Sequence, residues 1–174
     1  MKDLLLVVDR KDKIIDRRTK NECHQNPGIL HRAFSIFIFN RQTKLLLQKR
    51  SKLKLLWPLF WSNTCCSHPK NGQNLEVLGK KRLVEELGFS CQLTYLDKIN
   101  YRFCFGNIGC EREITHVLVG QFDGRVKPNP EEVAEINWVS LQDLKKDFKK
   151  NPNIYTPWLK LIVESLILPR EKLS

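Results

Sequence analysis

Residues 31–40 read His-Arg-Ala-Phe-Ser-Ile-Phe-Ile-Phe-Asn, with apolar side chains at both parities of the stretch. A strand with one wet face alternates apolar and polar residues, so a run this dense predicts a strand covered on both sides. Such a strand needs one layer above the sheet and another below it, and the rest of the chain offers both. Arg41-Gln42 turns the run back toward a partner strand at 45–48, and Arg10-Lys11-Asp12 joins 4–9 and 13–16 as a hairpin. The segment 74–87 reads as a helix, opened by the turn at 68–72 and stopped by Gly88. Gly79 inside that helix costs about 1 kcal/mol relative to alanine. Strands follow at 91–96, 99–105, 114–122 and 136–139, then helices at 141–150 and 155–168. This order predicts an α+β fold, a layered αβα sandwich around a mixed sheet. No repeat or Gly/Ser linker divides the 174 residues, so residues 1–174 are expected to form a single domain.

Apolar residues make up 41% and charged residues 28%, which excludes a disordered chain. The formal charge of +11 points to an anionic partner without naming its class. Residues 4–8 are too short an apolar run for a span, and 159–168 is interrupted by Lys160 and Glu164. The final Lys-Leu-Ser is not the Ser-Lys-Leu peroxisomal address. A soluble, cytoplasmic protein with no membrane partner is therefore expected. Six cysteines without a Cys-x-x-Cys pattern do not make a disulfide scaffold or a zinc knuckle, which leaves room for a functional thiol.

The stretch Trp61-Ser62-Asn63-Thr64-Cys65-Cys66-Ser67-His68-Pro69 is the most informative. In extended chain, residues two apart share a face, which brings the Cys66 thiol beside the His68 imidazole. Alone, that pair is more often a small buried thiol and a turn-capping histidine. His24 and His31 flank Gln25-Asn26-Pro27-Gly28, where proline and glycine force a loop on which both rings can converge. Glu111 and Glu113 share a side just before the 114–122 strand. Separately these are ordinary surface groups; together three imidazoles and two carboxylates make a donor set for one divalent ion with five or six ligands.

The helix segment, from Gly72-Gln73 through Glu85-Glu86-Leu87-Gly88, resembles the Nudix box, which holds metal against a diphosphate. The box's Arg-Glu pair falls on Lys81-Arg82, and its earlier Glu falls on Gln73. Hydrolysis needs clustered carboxylates, so a cation at the centre favours diphosphate recognition without hydrolysis. Arg82 and Glu86 lie one helical turn apart and project from one face.

With Leu30-His31-Arg32-Ala33-Phe34, Trp57-Pro58, Cys65-Cys66-Ser67-His68-Pro69, Glu111-Arg112-Glu113 and Thr156-Pro157-Trp158, the chain resembles the type 1 isopentenyl-diphosphate Δ-isomerases over nearly its whole length. That resemblance implies a Nudix-like αβα sandwich and interconversion of isopentenyl and dimethylallyl diphosphate by proton addition and removal on opposite faces of the alkene. It makes Cys66 and Glu113 the acid/base pair, with Tyr101 beside Glu113, and it makes Trp158 the aromatic facing the carbocation. It also implies His24, His31, His68, Glu111 and Glu113 as ligands of one divalent ion (Mn²⁺, Mg²⁺ or Zn²⁺) and Glu86 as the route for Mg²⁺ arriving with the diphosphate. Lys20, Arg50, Lys54 and Arg82 match the cations around that diphosphate, and Ser67 offers a backbone amide. A monomer acting on small isoprenoid diphosphates, without nucleic acid, is expected. The rivals are a Nudix hydrolase, a basic nucleic-acid-binding module and a structural metal protein. Cys65 and His116 have no assigned part.

Overall fold

The computed structural model describes residues 4–70 and 72–165. Strands β1 (Leu4–Val8) and β2 (Ile14–Thr19) form the expected hairpin. Thr19 closes a capping box on the short helix α1 (Lys20–His24): its hydroxyl accepts from the Glu22 amide and its own amide donates to the Glu22 carboxylate. Next come β3 (His31–Phe39), β4 (Lys44–Arg50) and the short β5 (Trp61–Ser62) and β6 (Cys65–Ser67). Helix α2 (Leu75–Leu87) precedes β7 (Leu93–Phe105), β8 (Gly109–Gln121) and β9 (Val133–Ser140), and α3 (Leu141–Lys150) and α4 (Pro157–Ser165) close the described chain.

The sheet is mixed. β3 runs parallel to β8 from His31↔Glu113 to Phe39↔Gln121 and antiparallel to β6, while β7 pairs antiparallel with β8. Buried even-numbered residues of β3 (Phe34, Ile36, Ile38) pack with Leu83 and Leu87 of α2. Its odd-numbered Phe37 and Phe39 pack with Leu144 and Phe148 of α3 and with Leu159 and Ile162 of α4. This is the αβα sandwich that the two-faced apolar run demanded. Among the described residues no helix is long and apolar enough to cross a membrane.

Five expectations need correction. The turn at Arg41-Gln42 exists, but β3 and β4 pair only at Phe39↔Leu45. β8 and β6 occupy the flanks of β3, so β4 turns to β9 over its whole length. The segments 91–96 and 99–105 are one strand, because a register shift between Tyr95 and Asp97 absorbs Leu96 and pairing then resumes. Glu111 and Glu113 lie inside β8 rather than before a strand. A disulfide does form, between Cys104 and Cys110, which the β7–β8 register places opposite one another. The last helix starts at Pro157, after a 3-10 turn at Pro152–Ile154, and its expected residues 166–168 lie outside the described residues.

Helix α2 is capped at both ends: the Asn74 side chain accepts from the Val77 amide, and Gly88, the expected stop, adopts φ 72°. Gly79 has a packing reason, since a Cβ there would sit 2.6 Å from Leu93 Cδ1 and 3.2 Å from both Ile36 Cδ1 and Leu118 Cδ1. Gly79→Ala is accordingly expected to destabilise the fold by about 1–2 kcal/mol, overpacking outweighing the gain of about 1 kcal/mol in helix propensity. Denaturant unfolding reads this, and a variant more stable than the parent would contradict the packing account.

Candidate active site

The parallel register places His31 directly beside Glu113. His68 follows β6, the other neighbour of β3, and His24 ends α1. That helix end packs hard against β8: a Cβ on Gly109 would lie 2.5 Å from the His24 carbonyl oxygen, so glycine permits the approach. The ligand atoms of His24, His31, His68, Glu111 and Glu113 all fall within 4.8 Å of one another. His24 Nδ1 is 2.7 Å from the Lys20 carbonyl oxygen and His31 Nδ1 is 2.8 Å from that of Ile29. A carbonyl can only accept, so these contacts assign the proton to Nδ1 and turn each Nε2 lone pair inward.

The inward-facing atoms are crowded. His31 Nε2 lies 3.3 Å from His68 Nε2, and Glu113 Oε1 lies 3.1 Å from His68 Nε2 and 3.3 Å from His31 Nε2. Glu111 Oε2 is buried 2.9 Å from His24 Nε2, yet no donor is aligned on it. An orphaned buried carboxylate oxygen beside three imidazoles, two of them with the Nε2 lone pair turned inward, fits a divalent cation by donor chemistry. Without the ion, burial opposes ionisation of Glu113, but the His31 and His68 rings, when they carry a proton on Nε2, donate to it and hold the carboxyl well below its usual range.

Cys66 shares a cavity of about 130 Å³ with Tyr101, Glu113 and Trp158. Its sulfur is 3.1 Å from Asn63 Nδ2 and 3.4 Å from Ser35 Oγ. Asn63 Nδ2 also donates to the Ile36 and Cys65 carbonyls, which fixes the amide against the thiol. Sequence reasoning missed Asn63 and Ser35; Asn63 lay within the singled-out motif, whereas Ser35 was hidden as one small residue in an apolar run. The Tyr101 hydroxyl donates to Glu113 Oε2 at 2.5 Å across the β7–β8 register. Trp158 donates through Nε1 to Ser62 Oγ and packs edge-on to Trp57 at 5.1 Å, with the Tyr101 ring nearly parallel to it at 6.5 Å. One wall is therefore aromatic and, apart from the thiol, nearly free of polar groups.

Burial pushes the Cys66 thiol up to about 11, and its hydrogen bonds to Ser35 and Asn63 only partly offset this. In metal-free protein, alkylation at Cys66 is thus expected to be slow at pH 7 and to rise about tenfold per pH unit until near 11. Mass spectrometry of the modified peptide separates it from Cys91, the other partly exposed free thiol. A plateau near neutral pH would contradict the buried, protonated thiol.

The same cavity is lined by the cations Lys20, Arg50, Lys54 and Arg82, together with Ser67 and Glu132. Arg50 is held by the carbonyl oxygens of Leu56 and Trp57, and its guanidinium lies 5.5 Å from the centre of the Trp158 ring. Arg82 pairs with Glu85 at 2.6 Å and with Glu86, as its one-turn spacing implied, and lies 3.5 Å from Glu132. Lys54 is paired with Glu132. Glu86 is 3% exposed, bonded to Arg82 and to Gln48, so it sits behind the guanidinium rather than lining the cavity. Cys65 points away from Cys66 into the α2 core, where burial and Glu86 drive its pKa well above the usual range. His116 bonds Asp12, which also holds Arg32 and Lys98; this surface knot is structural and apart from the metal cluster.

The Nudix domain profile matches residues 29–159. A Photorhabdus laumondii protein named isopentenyl-diphosphate Delta-isomerase 2 is 40% identical over 166 residues, covering 95% of this chain and 93% of the relative. The chain belongs to the isopentenyl-diphosphate Δ-isomerases of the Nudix family. The Burkholderia multivorans isopentenyl-diphosphate Delta-isomerase is likewise 40% identical, over 97% of this chain and 96% of its own length. Among solved structures, a Deinococcus radiodurans protein superposes with a TM-score of 0.74 at 16% identity, covering 94% of this chain and 98% of that one. The MutT protein from Methanosarcina mazei does so at 0.62 and 18%, over 78% and 91%. These two establish the fold, and the isomerase relatives establish the family within it.

Proposed function

We propose that the chain interconverts isopentenyl diphosphate and dimethylallyl diphosphate, with Cys66 and Glu113 as the proton-transfer pair and Tyr101 as the hydroxyl that shares the Glu113 proton. The observation that carries this reading is one cavity lined at once by the Cys66 thiol, the hydrogen-bonded Tyr101–Glu113 pair, the Trp158 ring and four cations. A carbon–carbon double bond is a very weak base, so adding a proton at one terminus creates a tertiary cation that water would trap. Removing a proton from the neighbouring methylene completes the shift of the double bond, and reversibility makes each group acid in one direction and base in the other. The buried face of Trp158 stabilises the cation through its ring quadrupole, while Trp57 and Tyr101 keep water out.

His24, His31, His68, Glu111 and Glu113 would hold one divalent ion, which lowers the proton affinity of Glu113 and fixes its orientation. The imidazole-rich set suits Mn²⁺ or Zn²⁺, and its carboxylates admit Mg²⁺. Lys20, Arg50, Lys54, Arg82 and the amide at Ser67 would bind the diphosphate, with Mg²⁺ arriving beside it through Glu86 once Arg82 moves to phosphate. A monomeric, cytoplasmic, single-domain enzyme without a nucleic-acid role completes the reading. Four free cysteines, Cys66 among them, suit a reducing compartment.

The test is a proton NMR time course with isopentenyl diphosphate, Mg²⁺ and Mn²⁺ in D₂O. Deuterated dimethylallyl diphosphate is the expected product. An unchanged alkene from folded, metal-loaded protein would sink the reading, and release of phosphate would replace it with diphosphate hydrolysis.

A further inference from the structure

The cationic lining of the cavity is less positive than its lysine and arginine content suggests. Arg82 already faces three carboxylates, those of Glu85, Glu86 and Glu132, and Lys54 is engaged by Glu132. Lys81 also pairs with Glu85, so three carboxylates meet three cations and most of the positive charge of this corner is already balanced. Glu132 stands out among the three because it lines both the inner cavity and the adjoining outer cavity of about 370 Å³, whereas Glu86 is buried and Glu85 reaches only the outer one.

Its place is also fixed by backbone. The Glu132 carbonyl accepts from the Ser51 amide, in the segment that carries Arg50 and Lys54. Its own amide donates to the Asn129 carbonyl, and the Asn129 amide donates to the Glu86 carbonyl on α2, the helix that carries Arg82. Glu132 thus sits at the joint between the two cation-bearing segments, with its carboxylate between their charges.

We propose that Glu132 is a specificity-determining residue that makes this site accept a diphosphate carrying a divalent cation and reject the bare polyanion. The inference rests on the diphosphate reading of the cavity. A bare diphosphate entering between Lys54 and Arg82 meets the Glu132 carboxylate at close range and is repelled. A diphosphate that brings a divalent cation presents positive charge to the same carboxylate and is attracted. Any help that Glu132 gives by holding Lys54 and Arg82 in place applies to both forms, so it cancels in the ratio of their affinities, whereas its charge does not.

The experiment is calorimetric titration of the full chain with inorganic pyrophosphate, in excess Mg²⁺ and again with the chelator EDTA, for the parent, Glu132→Gln and Glu132→Asp. In the parent, Mg²⁺ is expected to strengthen binding. In Glu132→Gln that enhancement should shrink about tenfold, the scale of one charge acting in a half-buried site, chiefly because metal-free binding tightens. Glu132→Asp keeps the charge and should keep the enhancement within about threefold. An enhancement unchanged in Glu132→Gln, or a parent that binds pyrophosphate equally with and without Mg²⁺, overturns the proposal. Circular dichroism confirms that each variant is folded, and Glu132→Ala repeats the neutral case with a smaller side chain. The readout needs no turnover: a parent that fails to isomerise but shows the Mg²⁺ enhancement rejects the isomerase chemistry and leaves the role of Glu132 standing.

Discussion

Cys66→Ala is expected to lower isomerisation by at least about 10³-fold while leaving pyrophosphate binding within a factor of about two, because general acid–base groups contribute about 10²–10⁴-fold and no other thiol lines this cavity. Asn63 holds the thiol from one side and Ser35 from another, and both bond elsewhere, Asn63 to the Ile36 and Cys65 carbonyls and Ser35 to Thr115. The cavity wall therefore survives loss of the sulfur, and the variant should unfold within a few degrees of the parent. Cys66→Ser tests chemistry rather than shape. A hydroxyl fits the same partners but is a far weaker acid than a thiol, so activity should stay low. Deuterium uptake by NMR checks both variants, and near-parental turnover in Cys66→Ala would remove the thiol from the mechanism.

Much of this site was legible in the sequence because chemistry with a fixed residue type leaves a local mark. Cys66 and His68 two apart, His24 and His31 across a Pro-Gly loop and Glu111 and Glu113 two apart each announced a shared side, and all but the thiol meet in one cluster. The layered fold was legible in β3 for a similar reason, since an apolar run at both parities has only one way to be buried. Gly88 likewise marked the end of α2.

What stayed hidden depends on partners distant in sequence. The hairpin rule paired β3 with β4, but competition from β8, more than seventy positions along the chain, decides the sheet order. Gly79 looked like a helix defect until the Leu93, Ile36 and Leu118 side chains were seen against it. The β7 bulge turns on one residue, Leu96, whose apolar character hides its place outside the ladder. Glu132 carried no signal at all, because its partners Lys54 and Arg82 lie on other elements and surface glutamates are common.

Glu113→Gln carries the second large expected effect, and it separates two duties that one carboxylate combines. In the parent, Glu113 Oε1 faces His31 and His68 while Oε2 takes the Tyr101 proton, so one oxygen serves the ion and the other serves proton transfer. The amide nitrogen of glutamine can donate to the inward Nε2 lone pairs, and its oxygen can still accept from Tyr101, so the metal-free fold is retained. Loss of the charge should weaken divalent-ion retention by at least about tenfold, as the ion loses one of two anionic ligands. Turnover should fall by about 10³-fold or more even at saturating metal, because an amide neither takes nor gives the proton. Tyr101→Phe divides the effect: it keeps the carboxylate, so metal content by mass spectrometry should stay near parental, while turnover falls about 10–10²-fold with the loss of the shared proton. A metal-loaded Glu113→Gln that isomerises at the parental rate would leave Glu113 as a ligand only and move the second proton transfer to another group in the cavity.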